Sequence, residues 1–274
     1  MLINAIFEGG GIKGLAYVGA MRFLEKRGFR FNKVGGTSIG AVFASLIAVG
    51  YNSFELEEII NDFNLNIITA AHDNKASKIV KGFKYKGYYS LANFEKYLSA
   101  LHKAKNKIVF GDVKQGDEYL LKMVSSDWKK KKQVILPNEL IAYGYDPDRF
   151  SIAKAVAMSC SIPLVFRPYR LGEHAFLDGG VVNNFPLTLF GDDEHPTLAF
   201  SLNDPLRTKG ILRYCQKKIF PYTCEYDFSK YNIIRIDTLG IKSIDFREGL
   251  AKKMDLYISG YTSMRRYFYE HFKC

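Results

Sequence analysis

Residues 2–14 read LINAIFEGGGIKG, and residues 31–49 read FNKVGGTSIGAVFASLIAV. Each segment begins with residues suited to a buried strand, continues through glycines that break the strand, and leads into residues with helical spacing. The first helix is expected over residues 13–26 and the second over residues 39–49. The chain therefore opens with two strand-turn-helix units, which predict an α/β fold.

The rest of the chain continues this alternation. Helices are predicted at 52–63, with Ser53 as N-cap, at 91–101 and at 151–159, and strands at 119–124, 133–136, 197–202 and 233–236. Apolar residues then recur every three or four positions from Phe246 to Phe268 and predict one amphipathic helix. The pattern favours a mostly parallel sheet covered by helices, with ligands gathering at the carboxyl ends of the strands. Both glycine turns lie at such ends.

Length and composition favour one domain over residues 1–274. Hydrophobic residues make up 47% of the chain, which is ample for a large core, and no linker-like stretch or internal repeat divides it. The most apolar run, 39–49, is much shorter than the roughly 20 residues of a membrane-spanning helix. Residues 2–7 are too short for a signal-peptide core. We therefore expect a protein without a transmembrane segment that is cytoplasmic or exported by a non-classical route.

The formal net charge of +11 predicts attraction to polyanions, and the basic residues are clustered. The clusters are Lys75, Lys78, Lys81, Lys84 and Lys86; Lys129–Lys132; and Arg207, Lys209, Arg213, Lys217 and Lys218. Two interpretations stay open, a solvated surface and peripheral contact with anionic lipid. Residues 75–89 also contain aromatics, as expected of either an interfacial lid or a loop with aromatics packed inward. No nucleic acid is expected, because no recognised binding module frames these residues.

Cysteines and histidines suggest no metal and no cofactor. The cysteines, Cys160, Cys215, Cys224 and Cys274, lack paired metal-ligand spacing and the density of a disulfide-stapled domain, so we expect reduced thiols. The five histidines include no HExxH pair.

The segment Gly36–Gly40 reads GTSIG and matches the GxSxG pattern. Its two glycines permit a sharp turn from strand to helix that presents the hydroxyl of Ser38. The helix that follows directs its positive dipole end toward an oxyanion formed there. Because this short pattern also occurs by chance, the strand-turn-helix context is what makes Ser38 a candidate nucleophile.

The other glycine run, residues 9–14, reads GGGIKG. Successive glycines can turn their backbone amides toward one developing negative charge, as an oxyanion hole requires. The run also fits a dinucleotide fingerprint, but the acidic residue needed about 20 positions later is missing. A phosphate-binding loop needs Lys and Ser or Thr after the last glycine, where this chain has Leu15 and Ala16. An oxyanion hole is therefore the favoured interpretation.

A serine nucleophile also needs a base. Asp178 follows the apolar residues 175–177 and precedes Gly179 and Gly180, so a carboxylate stands at a predicted strand end. An aspartate becomes a useful base only if desolvation raises its pKa from about 3.9. An ordinary Asp-Gly-Gly turn is the alternative.

Together the motifs resemble the patatin-like phospholipase family. The segments 8–14, 36–40, 157–163 (AMSCSIP) and 178–186 (DGGVVNNFP) occur in that family's order. The resemblance covers about residues 2–202 and leaves 206–274 as a helical addition packed on the domain. It implies a three-layer α/β/α sandwich with a mostly parallel central sheet.

The resemblance also assigns expected roles. Ser38 would be the nucleophile and Asp178 its sole catalytic partner, cleaving fatty acyl esters of phospholipids, lysophospholipids or other acyl lipids through an acyl-enzyme. The oxyanion-hole segment would be Gly9, Gly10, Gly11 and Lys13, where Lys13 stands at a position that the family fills with Arg or Lys. The supporting glycines would be Gly36, Gly40, Gly179 and Gly180.

Alternatives of other kinds stay open. An α/β-hydrolase would add a histidine, for which His195 and His271 are candidates, although its nucleophile normally follows several strands and Ser38 follows two. Cys160 has no visible activating base and is expected to be a structural thiol. A lipid-binding module without turnover would retain the same fold.

Overall fold

The computed structural model describes residues 1–69, 87–202 and 226–272. The described strands are β1 (Leu2–Phe7), β2 (Arg30–Thr37), β3 (Gly87–Tyr89), β4 (Lys114–Gln115), β5 (Glu118–Tyr119), β6 (Leu121–Asp127), β7 (Lys132–Leu136), β8 (Leu164–Phe166), β9 (Tyr169–Leu171), β10 (His174–Asp178), β11 (Thr197–Ser201) and β12 (Asn232–Arg235). The described α-helices are α1 (Ala16–Lys26), α2 (Ile39–Val49), α3 (Ser53–Asp62), α4 (Asn66–Thr69), α5 (Ala92–Ala104), α6 (Ile152–Ser159), α7 (Phe246–Ala251) and α8 (Lys253–His271).

The central sheet has eight strands in the order β12-β11-β1-β2-β6-β10-β9, with β7 also paired to β6. Neighbours from β12 to β6 are parallel, whereas β7 and β10 run antiparallel to β6. In β1 every residue after Leu2 is buried, as in a strand covered on both faces. The predicted three-layer α/β fold with a mostly parallel central sheet is therefore confirmed.

Two strands meet head to head along one edge of β6. Strand β2 ends where Thr37 pairs with Val124, and β10 ends, from the opposite direction, where Asp178 pairs with Ser125. Strand β7 occupies the other edge of the same part of β6, so β2 and β10 must share one edge. This register brings the residue after β2, Ser38, toward the last residue of β10.

Helices α1 and α8 pack with their backbones in contact. A Cβ atom built on Gly19 would lie 1.9 Å from the carbonyl oxygen of Tyr257, and one built on Gly260 would lie 1.8 Å from that of Ala16. The side chain of Phe268, which is 8% exposed, adds an apolar contact to this pair of helices. The α8 helix is thereby joined to the same core as the sheet.

Several helix boundaries differ from the sequence prediction. Helix α1 begins at Ala16, after a 3-10 helix over Gly11–Leu15, and α5 spans Ala92–Ala104 where 91–101 was predicted. Helix α3 is capped by Asn52 rather than Ser53: the Asn52 side chain accepts from the amide of Glu55, whose carboxylate accepts from the Asn52 amide. The single helix predicted over 246–268 is divided at Lys252, which caps α7 and precedes α8.

Several sequence features lie outside the described residues. These are the basic clusters at 75–86 and 207–218, the part of the proposed lid before Gly87, and the cysteines Cys215, Cys224 and Cys274. Along the part of the chain that is described, no helix has both the length and the hydrophobicity needed to cross a bilayer.

Candidate active site

Ser38 occupies a strained turn between β2 and α2. Its φ of 55° and ψ of −124° lie in a region that residues other than glycine rarely adopt. Space around the turn is limited by β1: a Cβ atom on Gly36 or Gly40 would lie 2.5 or 2.1 Å from the carbonyl oxygen of Phe7. Both glycines of the GxSxG pattern are therefore required by the packing.

Ser159, at the end of α6, supports this turn. Its hydroxyl accepts a hydrogen bond from the Ser38 amide at 2.9 Å and donates one to the carbonyl of Val124 at 2.6 Å. It thus ties the strained residue to the neighbouring strand β6. Sequence reasoning marked the segment 157–163 as part of the family pattern but gave Ser159 no role, because a serine within a helix has no distinctive signal.

Asp178 is fully buried beside Ser38. Its Oδ1 accepts from the amide of Gly180 at 2.7 Å, and its Oδ2 has no hydrogen-bond partner among the described residues. Burial raises the pKa of Asp178 to about 7, against the lowering effect of the Ser38 side chain and the Gly180 amide. The Ser38 hydroxyl is thus near enough to act on the carboxyl, although no bond of ordinary geometry reaches Oδ2. Such bonds are often long before substrate binds.

Close approach at Asp178 depends on the next residue. A Cβ atom on Gly179 would lie 2.2 Å from the carbonyl oxygen of Val124 and 2.9 Å from Cγ2 of Thr37. The Asp-Gly-Gly sequence is therefore packed against the ends of β2 and β6 and is not a simple surface turn.

The glycine run after β1 offers two amides near Ser38. The amide of Gly9 donates to the carbonyl of Asn184 at 2.9 Å and is engaged. The amides of Gly10 and Gly11 donate to no acceptor in the described parts of the chain. Gly11 and Ser38 line the same cleft. Of the predicted oxyanion segment, Gly10 and Gly11 therefore hold the available donors.

Lys13 and Glu8 are buried residues of opposite charge that flank the glycine loop. The Lys13 ammonium donates to the carbonyl of Leu202 at 3.2 Å, and burial lowers its pKa while the charge of Glu8 opposes that effect. Glu8 accepts hydrogen bonds from the Ser201 hydroxyl at 2.7 Å and from the Leu202 amide at 2.8 Å. The structure thus places Lys13 as a counter-charge to Glu8, and not among the residues that line the cleft.

An apolar cleft extends from Ser38 along helix α2. It encloses about 890 Å³ of empty space, part of it open to solvent. Leu46, eight residues after Ser38 in α2, also lines it, which corresponds to roughly 12 Å of helix axis at 1.5 Å per residue. The side chains that α2, α3 and α5 contribute are Ile39, Val42, Phe43, Leu46, Leu56, Ile59, Ile60, Phe94, Tyr97, Leu98 and Leu101.

Cys160 also lines this cleft, next to Ser38. The sequence offered no base near this thiol, whereas the structure places Asp178 close to it. Burial nevertheless raises the pKa of Cys160 well above its usual value, and the charge of Asp178 raises it further. The thiol therefore stays protonated, which makes it a poor nucleophile.

The two histidines considered for a Ser-His-Asp triad lie elsewhere. His195 contacts Asn32, which precedes Ser38 by six residues of β2, or roughly 20 Å at 3.3 Å per residue. His271 stacks on Tyr267 at the exposed end of α8. Nor do three His, Cys, Asp or Glu side chains cluster to hold a metal ion anywhere in residues 1–69, 87–202 and 226–272.

Known proteins share this fold. VipD from Legionella pneumophila superposes with a TM-score of 0.54 at 16% identity, over 98% of this chain and 67% of VipD. The type III effector ExoU superposes with a TM-score of 0.52 at 16% identity, over 97% of this chain and 52% of ExoU. At such low identity these likenesses concern the fold alone.

Sequence relatives cover most of the chain. The uncharacterized protein YqhO of Bacillus subtilis is 38% identical over 211 residues, which are 74% of this chain and 72% of YqhO. The probable lipid hydrolase 463L of Invertebrate iridescent virus 6 is 25% identical over 190 residues, 67% of this chain and 61% of its own length. The chain thus spans about three fifths of the viral relative and half of ExoU. The profile of the patatin-like phospholipase family matches residues 5–190, so the chain belongs to this family, and its membership supports a lipid hydrolase activity.

Proposed function

We propose that this protein is a serine-dependent lipid acyl hydrolase, a carboxylic ester hydrolase of phospholipase A or lysophospholipase type. The observation that carries the proposal is the meeting of Ser38 and Asp178 at one end of the apolar cleft, with Oδ2 of Asp178 unpaired among the described residues. A carboxyl with a pKa near 7 can accept a proton and return it at neutral pH.

The reaction begins when Ser38 Oγ attacks the ester carbonyl and its proton passes to Oδ2 of Asp178. The amides of Gly10 and Gly11 receive the oxyanion of the tetrahedral intermediate. The intermediate collapses to an acyl-enzyme as Asp178 gives the proton to the departing alcohol. Water then attacks the acyl-enzyme, Asp178 takes its proton, and the fatty acid leaves as that proton returns to Ser38.

The cleft supports an acyl chain as the bound part of the substrate. The described residues that line it are apolar apart from groups around Ser38, and they offer no charged partner for a phosphate or amine headgroup. Burying methylene groups contributes about 0.8 kcal/mol each, which favours long-chain esters over short ones. The headgroup would remain outside the cleft.

Peripheral contact with anionic membrane is part of the same proposal. The net charge of +11 supports attraction to anionic lipid, and of the cluster Lys129–Lys132 the first three lysines lie on the turn between β6 and β7 while Lys132 begins β7.

Labelling with a fluorophosphonate, followed by product analysis, tests the proposal. We expect the probe to modify Ser38 and a mixed lipid extract to release free fatty acid, identified by mass spectrometry. The Ser38→Ala protein should do neither. A folded wild-type protein that neither reacts with the probe nor releases fatty acid would instead be a lipid-binding module.

A further inference from the structure

The side chain and backbone of Asn184 hold Gly9 from both sides. The Asn184 carbonyl accepts a hydrogen bond from the Gly9 amide at 2.9 Å, and Asn184 Nδ2 donates to the Gly9 carbonyl at 2.9 Å. Asn184 comes from the loop that follows Asp178, whereas Gly9 belongs to the loop that follows β1. One residue therefore joins the segment of the proposed base to the segment of the proposed oxyanion hole.

The hydrogen bond to the Gly9 carbonyl also fixes a neighbouring amide. The C=O of Gly9 and the N–H of Gly10 belong to one planar peptide group, and in a trans peptide they point in opposite directions. Glycine residues on both sides allow this plane to rotate readily. A donor that binds the Gly9 carbonyl on one side of this peptide group therefore fixes the direction of the Gly10 N–H on the opposite side.

Glu8 determines which way the Asn184 amide is turned. Asn184 Nδ2 donates its other hydrogen to Glu8 Oε1 at 3.1 Å, while Oε2 of Glu8 accepts from Ser201 and Leu202. An ionised carboxylate only accepts hydrogen bonds, so a flipped amide would direct Oδ1 at two acceptors. In the orientation present, Oδ1 of Asn184 is buried without a partner among the described residues. Leaving such an oxygen unpaired is unfavourable, so the orientation is retained against a local cost.

We propose that Asn184 is a positioning residue that aims the Gly10 N–H at the oxyanion, and that Glu8 locks the amide of Asn184 in the donating orientation. This inference rests on the proposed function of Ser38. Under this proposal the buried Glu8 orients the Asn184 amide. Lys13 balances the charge of Glu8, so that this carboxylate does not oppose a nearby oxyanion.

The test compares Asn184→Ala with the wild-type protein on a chromogenic acyl ester. We expect kcat to fall about 100-fold with KM within about twofold, because the lost interaction acts on the transition state. An alkyl trifluoromethyl ketone, which forms a tetrahedral oxyanion on a serine, should lose affinity by about the same factor as kcat/KM. The affinity for the fatty acid product should not change, whereas a general loss of packing would weaken product binding as well.

Asn183→Ala is the matched control. The Asn183 side chain donates to Gln133 at 3.0 Å and to Tyr226 at 2.8 Å, away from the glycine loop, so its removal should leave kcat within about threefold. If Asn184→Ala fails to fold, Asn184→Leu has a side chain of similar shape and no donor, so it should show the same loss. An unchanged kcat in a folded Asn184 variant, with active wild-type protein, overturns this inference alone. Absence of activity and labelling in the wild type overturns the proposed function.

Discussion

Asp178 and Asp193 lie toward opposite ends of strand β2 and have opposite electrostatic environments. Asp178, at the carboxyl end, is fully buried and, among the described residues, receives hydrogen bonds from uncharged groups only, and burial raises its pKa to about 7. Asp193, toward the amino end, pairs with Lys33. Although burial alone would raise the pKa of Asp193, hydrogen bonds from Lys33 and the amide of His195 hold it well below its usual value.

Both aspartates lie beside strand β2, and the difference between them shows that the partners of an aspartate side chain determine its role. A partly buried aspartate with a cationic partner stays ionised and links elements of the fold, whereas a buried one without a cation can exchange a proton near neutral pH. The register of β10 on β6 delivers Asp178 to Ser38 without any lysine, arginine or histidine among the groups that shift its pKa. The following experiments separate the two environments.

The largest expected effect is on activity in Asp178→Asn. We expect ester hydrolysis to fall by about 10³-fold or more, because the carboxyl proposed to accept the serine proton is gone. Asp178→Ala serves as a second variant, since Asn before Gly179 can deamidate back to Asp. Asp193→Asn is the matched control and should keep most activity in a steady-state assay. Comparable losses in both variants would mean that fold stability, and not proton transfer, underlies the effect.

The change of kcat/KM with pH in the wild-type protein should be nearly as large as the loss in Asp178→Asn. The proposed base works only when Asp178 is ionised, so kcat/KM should fall about tenfold per pH unit below its pKa and level off above about 7. Between pH 5 and pH 7.5 this amounts to roughly a 100-fold change, measured at constant ionic strength. An activity that is flat across this range in a folded protein would contradict a buried carboxyl as the base.

The free energy of unfolding should depend on pH because Asp178 titrates differently in the folded and unfolded states. Because its pKa is higher in the folded than in the unfolded state, the wild-type protein loses stability as pH rises from about 4 to about 7. The Asp178→Asn variant lacks this loss. Its free energy of unfolding relative to wild type should therefore increase by about 3 kcal/mol between pH 5 and pH 7.5, as measured by urea denaturation.

At Asp193 the dependence of stability on pH should have the opposite sign. Its lowered pKa contributes stability that is fully present above about pH 4 and is lost only in strong acid. At neutral pH we expect the Asp193→Asn variant to lose about 1–2 kcal/mol, because Lys33 keeps a second partner in Glu118 at 2.5 Å. A variant that is stabilised at neutral pH would contradict the role given to this ion pair.

The sequence predicted those parts of the fold and site that depend on local pattern. The two strand-turn-helix units are local, and the turns after β1 and at Ser38 lie within the predicted glycine motifs, although β2 continues through Gly35 and Gly36 to Thr37 and is not broken by them. The juxtaposition of Ser38 and Asp178 could be expected only through the family resemblance. Its physical basis is the antiparallel register of β10 on β6, a long-range pairing that no local period reports.

The residues that sequence reasoning missed act through single side-chain hydrogen bonds. Ser159 and Asn184 hold backbone groups of Ser38 and Gly9. Both lie in segments that carry the family resemblance, 157–163 and 178–186, but the pattern gave neither residue a role, because each bonds to a residue far away in the chain. The backbone contact between α1 and α8 was missed for a related reason. Gly19 and Gly260 lie far apart in the chain, so a requirement for glycine at both becomes visible only when the helices are packed.

The smallest expected effect is that of His195→Ala, which tests whether a histidine joins Ser38 and Asp178. His195 contacts Asp193 at 3.3 Å through Nδ1, toward the amino end of β2, so its loss should leave kcat/KM within about twofold of wild type. The Asp193 carboxylate keeps the His195 backbone amide and Lys33 as donors, and stability should fall by less than about 1 kcal/mol. A loss of activity comparable to that of Ser38→Ala, in a variant that melts near the wild-type temperature, would restore the triad. Retention of activity would remove His195 as a candidate base and leave Asp178 as the proposed proton acceptor, since the other candidate, His271, stacks on Tyr267 at the exposed end of α8.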